Sequence, residues 1–530
     1  MRTLTSALVV AAMLLVVAGC GKEANPGWDE PLGPDGPMIM EEGIVYLDRA
    51  FEELVVLRTG QGAELTVERQ PTGASPGQMV MADDGRSLYL INREDETLSI
   101  FDVSASSVGQ TTVELGSTYD TFTVDPEGEF LLLSHSGDAG DYVVQNVNEL
   151  AIVDLRGGEP EVTISTLPMQ ADRLELMPPF EMEGQSERLA VAMATNEIAI
   201  LDLNAEGSDR VRKAPLTGSQ ADNLEPTAVV FDPPTQNRPN RASLFVLDNT
   251  SDDVTQIAIQ PTLEGQTSKF GLSINQLAAG NRPAEIAILE LDAGDGGTVN
   301  RLLALDGQSA QFTLVDVDSG ESATFDLPMS GPAHGMEVYQ SPVSGEDGTE
   351  KRVLVYSHNS PLMAVIRPQE IAVGTETPTL GQAVEEVRLS ASPAELIMES
   401  GTDSDRAVAL HGGGEDGLSV INLRSNENWW LSGHNPSQIV FDGTIGYAIF
   451  GNSSHVVRLN LETGQPQQFD LPDRARSIYL SPDNESVLVR HDGASGRFTV
   501  LERTAMEPEN GRLYEHVFLG GALDYEVFDE

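Results

Sequence analysis

Four short apolar runs recur in each stretch of roughly 40–60 residues, tight turns separate them, and no long stretch carries helical periodicity. These observations predict an all-β chain folded as a β-propeller of about ten four-stranded blades.

The third strand of each repeat is the easiest to see: LSIFDV (98–103), LAIVDL (150–155), IAILDL (198–203), FTLVDV (312–317), LSVINL (418–423) and VVRLNL (456–461). A second strand precedes each, as in LYLIN (88–92), LLALD (302–306) and AVALH (407–411). A first strand led by proline or a small residue comes earlier, as in PTAVVFD (226–232), PAEIAIL (283–289) and PSQIVFD (436–442). A fourth follows a tight turn, as in ATFDL (323–327) and QQFDL (467–471). The runs are nearly continuous in apolar residues, as expected of sheets covered on both faces. Asp or Asn closes the third strand because its side chain bonds backbone N–H groups of the next turn.

First strands fall near residues 79, 122, 174, 227, 284, 335, 394, 437 and 476. The chain opens instead on IVYLD (44–48) and ELVVLR (53–58), which read as a second and third strand, while LDYEVFD (523–529) reads as a first strand. The expectation is that both chain ends share one blade and so remove a free sheet edge. The propeller is expected over 43–530 in one ring, although two smaller rings fit the same strand pattern. In LYLINREDETLSIFDV (88–103) and SIYLSPDNESVLVRHD (477–492) the repeat resembles the YVTN-type propellers. That resemblance implies a group including lactone hydrolases and surface-layer proteins, so it leaves function open.

At the N-terminus, Arg2 precedes an apolar stretch from Leu4 to Val17, too short for a comfortable membrane span. The following Val17-Ala18-Gly19-Cys20 resembles the lipobox of bacterial lipoproteins. The resemblance implies a signal peptide over 1–20, a diacylglycerol on the Cys20 thiol and lasting membrane attachment. Gly21, rather than Asp, implies the outer membrane where enterobacterial sorting applies. Residues 21–42, rich in Gly, Pro and acid, are expected to be a flexible tether. Cys20 is the single cysteine, so no intramolecular disulfide staples the fold.

The formal net charge is −52, from 83 acidic and 31 basic residues, and only Lys22, Lys213, Lys269 and Lys351 are lysines. Such a surface repels phosphate backbones, which argues against nucleic acid as partner. It suits hydration in saline surroundings, and leaves calcium, cationic ligands and basic protein patches as compatible partners.

Propeller topology places the second-to-third loops and the loops between blades on one end, the top. Six of the eight histidines belong there: His135, His358, His411 and His491 end second strands, and His334 and His434 precede first strands. His334, His358 and His411 come from adjoining blades and form the candidate ligand site, with service to local turns as the alternative. On the bottom, five successive first-to-second loops are long: 178–188, 233–241, 291–301, 341–352 and 400–406. They end in Arg188, Arg241, Arg301, Arg352 and Arg406, a candidate interaction sector, or else cations covering the blade edge and pairing with acidic neighbours. Scattered acids at 292, 295, 346–347 and 403–405 follow no recognised calcium-loop spacing. No nucleotide, zinc-protease, serine-hydrolase or haem motif occurs, and no residue is assigned a catalytic or resident metal role. The sequence thus supports a lipid-anchored envelope protein that binds or scaffolds a protein, glycan or small ligand. The alternative is a propeller hydrolase or lyase of the lactonase kind.

Overall fold

The computed structural model describes residues 37–49, 51–59, 65–136, 144, 146–205, 207–216, 224–235, 238–248, 250–262, 270–292, 298–342, 349–374, 378, 380–398, 406–411, 417–432, 436–451, 453–481, 484–491, 497–503, 514–518 and 528–529. Among these the fold is all-β, with two short 3₁₀ turns at Gly207–Asp209 and Pro368–Glu370. The strands form ten antiparallel blades, nine of four strands and a last one of five. Blades 1 to 10 span 38–71, 76–114, 121–166, 173–215, 226–278, 283–326, 335–388, 393–432, 436–470 and 475–529. All nine first strands expected from the sequence head blades 2 to 10.

Period-two geometry explains why the runs are apolar throughout. In Arg406–His411, the second strand of blade 8, Ala407 and Ala409 pack toward blade 7 while Val408 and Leu410 pack toward blade 9. Each strand therefore feeds two interfaces, one per face. The buried side chains fall into ten clusters, one at each junction between consecutive blades, including the junction of blade 10 with blade 1. The blades therefore form one ring.

Ring closure differs from the sequence expectation. Blade 1 has its own first strand, Met38–Met40, paired with Gly43–Asp48, so the sheet starts inside the stretch expected as tether. The C-terminal Phe528–Asp529 pairs instead with Tyr514–Phe518 and adds a fifth strand to the outer edge of blade 10. Closure rests on side-chain packing: Ile44, Tyr46, Val55 and Leu57 of blade 1 lie against Leu488, Phe498 and Val500 of blade 10. Tyr46 and Phe498 meet edge to face, with centroids 5.0 Å apart. A three-residue strand beginning Met-Ile-Met carries none of the proline signals that mark its counterparts, so the sequence pattern passes it over.

Five third-strand Asp/Asn residues, Asp154, Asp202, Asp316, Asn422 and Asn460, cap their turns as expected. Asn460 Oδ1 accepts the N–H groups of Glu462 (3.0 Å) and Thr463 (2.9 Å), and Asp316 Oδ1 accepts that of Ser319 (2.9 Å). Gly464 and Gly320 follow at positive φ, 69° and 73°, where a side chain is strained. The long bottom loops are partly sheet. Blade 4 inserts a hairpin, Phe180–Met182 with Gln185–Glu187, around Glu183 and Gly184 at φ 53° and 76°. Two successive positive φ values match the turn that follows strand twist. In blades 6 and 7 the inner pair of strands simply extends, closing on Asp292↔Thr298 and Pro342↔Thr349.

Because packing closes the ring, Phe498→Ala is expected to lower unfolding stability by about 3–5 kcal/mol. Truncation after residue 518 is expected to leave the cooperative transition intact. Urea unfolding followed by circular dichroism measures both.

Candidate functional site

The end of the second strand is a recurring structural slot. A bulge at the start of the first strand brings its leading residue opposite the slot: Pro76↔Asn92, Pro226↔Asp248, Pro283↔Asp306, Pro393↔His411 and Ala475↔His491. Each slot residue named is buried. His411 Nδ1 donates to the Ser392 carbonyl (3.0 Å), which leaves Nε2 to accept from the Ser419 hydroxyl (2.9 Å). His491 repeats the arrangement with the Arg474 carbonyl (3.2 Å) and Thr499 (2.7 Å). Asn92 does so through its amide, donating to Thr97 and Ser99 and accepting from Gly73 N–H. In blades 2, 8 and 10 the slot ties the second strand to the third and to the entry of the first, whereas Asp248 and Asp306 bond nearby turn groups instead.

The three histidines singled out by sequence therefore separate. His411 is 1% exposed, inside blade 8, with its ring 4.9 Å from Trp430. His334 and His358 instead come together on the top of blade 7, both exposed, with ring centroids 4.6 Å apart. His334 enters the first strand and His358 leaves the second, and the His334 N–H bonds the Tyr356 carbonyl at 2.8 Å. His434 lies outside the described residues.

His135 occupies the position after the second strand of blade 3. It is 1% exposed and stacks on Tyr119 at 4.9 Å, and neither ring nitrogen has a hydrogen-bond partner among the described residues. Burial holds its pKa below the ordinary 6.5, against the opposing pull of the Asp120 and Glu149 carboxylates.

Most of the bottom-face arginines have partners. Arg188 meets Glu127 (2.5 Å) and Glu129 (2.6 Å) of blade 3. Arg352 meets Glu350 and reaches the Leu423 carbonyl of blade 8 at 3.4 Å. Arg406 meets Glu462 of blade 9 at 3.4 Å, and Arg301 lies 3.9 Å from Asp316. Arg241 is half-buried, and its neighbour Arg238 makes the clip at that junction, binding Asp232 (2.8 Å) and Asp318 of blade 6 (2.8 Å). Arg188, Arg238, Arg352 and Arg406 thus tie neighbouring blades together, as their position at blade edges allows.

Inner strands are joined in a similar way. Gln78 accepts Phe122 N–H (2.8 Å), Glu285 accepts Met336 N–H (2.9 Å), and Gln438 both accepts from and donates to the Ile478 backbone. Burial raises the pKa of Glu285 and of Glu337. Among the described residues no group of three His, Cys, Asp or Glu side chains is placed to hold a metal ion.

One site lies where sequence reasoning did not look. A groove of about 500 Å³ opens on the outer rim between blades 3 and 4, lined by Thr163 to Pro168, Gly207, Arg210, Val211 and Lys213. Among the described residues that line it none is a carboxylate, although the chain carries net charge −52. Ile164 is 47% exposed there. Its strand, Glu161–Thr166, is the outer edge of blade 3. The Leu167 N–H bonds the Asn148 carbonyl (2.8 Å), and the ladder continues Thr166↔Glu149. Antiparallel alternation then turns the N–H and C=O of Val162, Ile164 and Thr166 away from the sheet. Arg210 Nε donates to Ala205 O (2.8 Å), and Lys213 pairs with Glu197 (2.7 Å). Only the run Arg210-Val-Arg212-Lys213 signals this site in sequence.

No protein-family model and no curated protein matches the chain. Among solved structures it is similar to the dihydro-heme d1 dehydrogenase NirN, at 16% identity over 84% of this chain and 75% of that one, TM-score 0.39. It is also similar to apo AztD from Citrobacter koseri, at 10% identity over 80% and 93%, TM-score 0.32. A third is the WD40 domain of SCAP from fission yeast, at 10% identity over 78% and 89%, TM-score 0.42.

A buried histidine kept neutral makes the fold sensitive to acid. The unfolded chain protonates near pH 6.5 while folded His135 resists, so its contribution to stability falls as pH drops below that value. His135→Phe, which keeps the stack on Tyr119, is expected to gain on wild type between pH 7.5 and 5.5. The bound is about 1.4 kcal/mol per pH unit, read from urea midpoints.

Proposed function

We propose that this chain is a lipid-anchored cell-envelope binding protein whose propeller, of YVTN-type repeat, is a rigid scaffold presenting its rim to an extended, acidic polypeptide. The observation that carries the reading is the groove beside the outer strand of blade 3, whose described lining residues include Arg210 and Lys213 and no carboxylate, in a chain of net charge −52. Outward N–H and C=O groups at Val162, Ile164 and Thr166 suit addition of a strand. Arg210, a buried cation lining the groove, favours carboxylates on that strand, whereas the Lys213 charge is already met by Glu197, and Ile164 offers the strand an apolar contact. Most of the bottom arginines are taken up by contacts within the ring, which leaves the rim as the surface for this role. Attachment through Cys20 holds this surface at a membrane, and the charge on the remainder discourages anionic partners elsewhere.

Anisotropy of a labelled peptide of alternating Val and Glu tests the groove. It is expected to bind, to weaken with added salt, and to lose at least tenfold affinity with Ile164→Pro. That substitution removes an outward N–H while sparing the ladder of blade 3. Equal binding of a Val/Lys peptide, or unchanged binding by Ile164→Pro, contradicts the reading.

The anchor is tested separately by Cys20→Ser. Labelled fatty acid is expected on the wild-type chain and absent from the variant, which leaves the membrane fraction. A variant that still fractionates with membranes overturns lipid attachment.

A further inference from the structure

We propose that His334 and His358 form a two-imidazole site on the top of blade 7 for a divalent transition-metal ion, with copper(II) preferred. This inference is independent of the rim groove, which lies between blades 3 and 4.

The backbone places the pair. Gly335 pairs with Tyr356, and His334, one residue before that rung, and His358, two residues after it, leave the sheet near each other. Their rings stand 4.6 Å apart, inclined by 52°, and both are exposed. The Tyr356 ring lies edge-on to His358 at 5.7 Å and limits its rotation.

Hydrogen bonds fix the nitrogen that His358 offers and leave His334 two tautomers. His358 Nδ1 lies 2.9 Å from the Pro393 carbonyl, which only accepts, so Nδ1 carries the proton and Nε2 carries the lone pair. His334 Nδ1 lies 3.2 Å from Ser357 Oγ, and Ser357, fully buried, donates its own hydrogen to the Pro332 carbonyl at 2.7 Å. The Ser357 oxygen therefore faces His334 as an acceptor. A metal on Nε2 selects the tautomer that donates from Nδ1 to Ser357, over the one accepting the His358 N–H at 3.3 Å. Backbone carbonyls and hydroxyls behind Nδ1 are the partners that orient ligating imidazoles and raise their basicity. Neither nitrogen of the buried His411 is placed in this way, because both are bonded within blade 8.

Two imidazoles, joined by no third His, Cys, Asp or Glu ligand among the described residues, suit copper(II), nickel(II) and zinc(II), with copper(II) highest by intrinsic affinity, and offer little to calcium or magnesium. The top face leaves the other coordination positions open to water or to a donor from a second molecule.

The test titrates the purified full chain with copper(II) in excess glycine, so that weak carboxylate binding on the acidic surface stays silent. Electron paramagnetic resonance reads the ligands. The expected result is one ion per chain with splitting from two imidazole nitrogens. His334→Ala and His358→Ala are each expected to weaken binding at least tenfold and to remove one nitrogen. His358→Gln covers a folding failure of the alanine variant, and His455→Ala, on blade 9, is expected to match wild type. Two-nitrogen splitting that survives both alanine substitutions overturns the proposal. So does wild-type binding no tighter than glycine, or displacement of copper(II) by equimolar calcium.

Discussion

Contact between the apolar faces of neighbouring blades is the constraint on which the rest of this structure depends. Each strand sends alternate side chains to opposite interfaces, as Ala407 and Ala409 against Val408 and Leu410 show. No blade completes its core alone, and each junction needs both partners. The lone cysteine, Cys20, leaves no disulfide to share the task. Closure by packing between blades 1 and 10 is therefore the same interaction that operates at every other junction, used once more.

Polar side chains are arranged around that constraint. Inside a blade, the slot at the end of the second strand holds three strands through one imidazole or amide. Between blades, arginines on the bottom and Gln or Glu on the inner strands join what the apolar cores align. The guanidinium groups of Arg188, Arg238 and Arg352 are largely buried in these contacts, so removing a partner would leave a buried charge uncompensated. Functional groups are those left over. The groove between blades 3 and 4 keeps an open strand edge, and the pair on blade 7 keeps both rings exposed although His358 Nδ1 bonds the Pro393 carbonyl of blade 8.

Much of the fold was legible because period-two patterning is local. The nine first strands, the third-strand caps and the blade number follow from runs of five to ten residues read along the chain. Met38–Met40 was not legible, since three residues carry no period and no proline marks them. The C-terminal strand was misplaced because LDYEVFD resembles a first strand, whereas strand order depends on which edge remains open. For the sites, sequence placed His334, His358 and His411 on one face, but the direction of each ring depends on Ser357, Pro393 and Ser419. The arginine series was visible as a pattern, while its acidic partners on adjoining blades were not. The groove joins residues near 164 to others near 211 and exists only once two blades stand side by side.

Closure of the ring through packing between its first and last blades can be examined directly by photo-crosslinking. Benzoylphenylalanine in place of Tyr46, followed by mass spectrometry of the digested monomer, reports what lies against that position. The account requires crosslinks to the 488–500 segment, where Leu488, Phe498 and Val500 form the shared core. Crosslinks to residues 523–529 instead, or only between separate molecules, would contradict it.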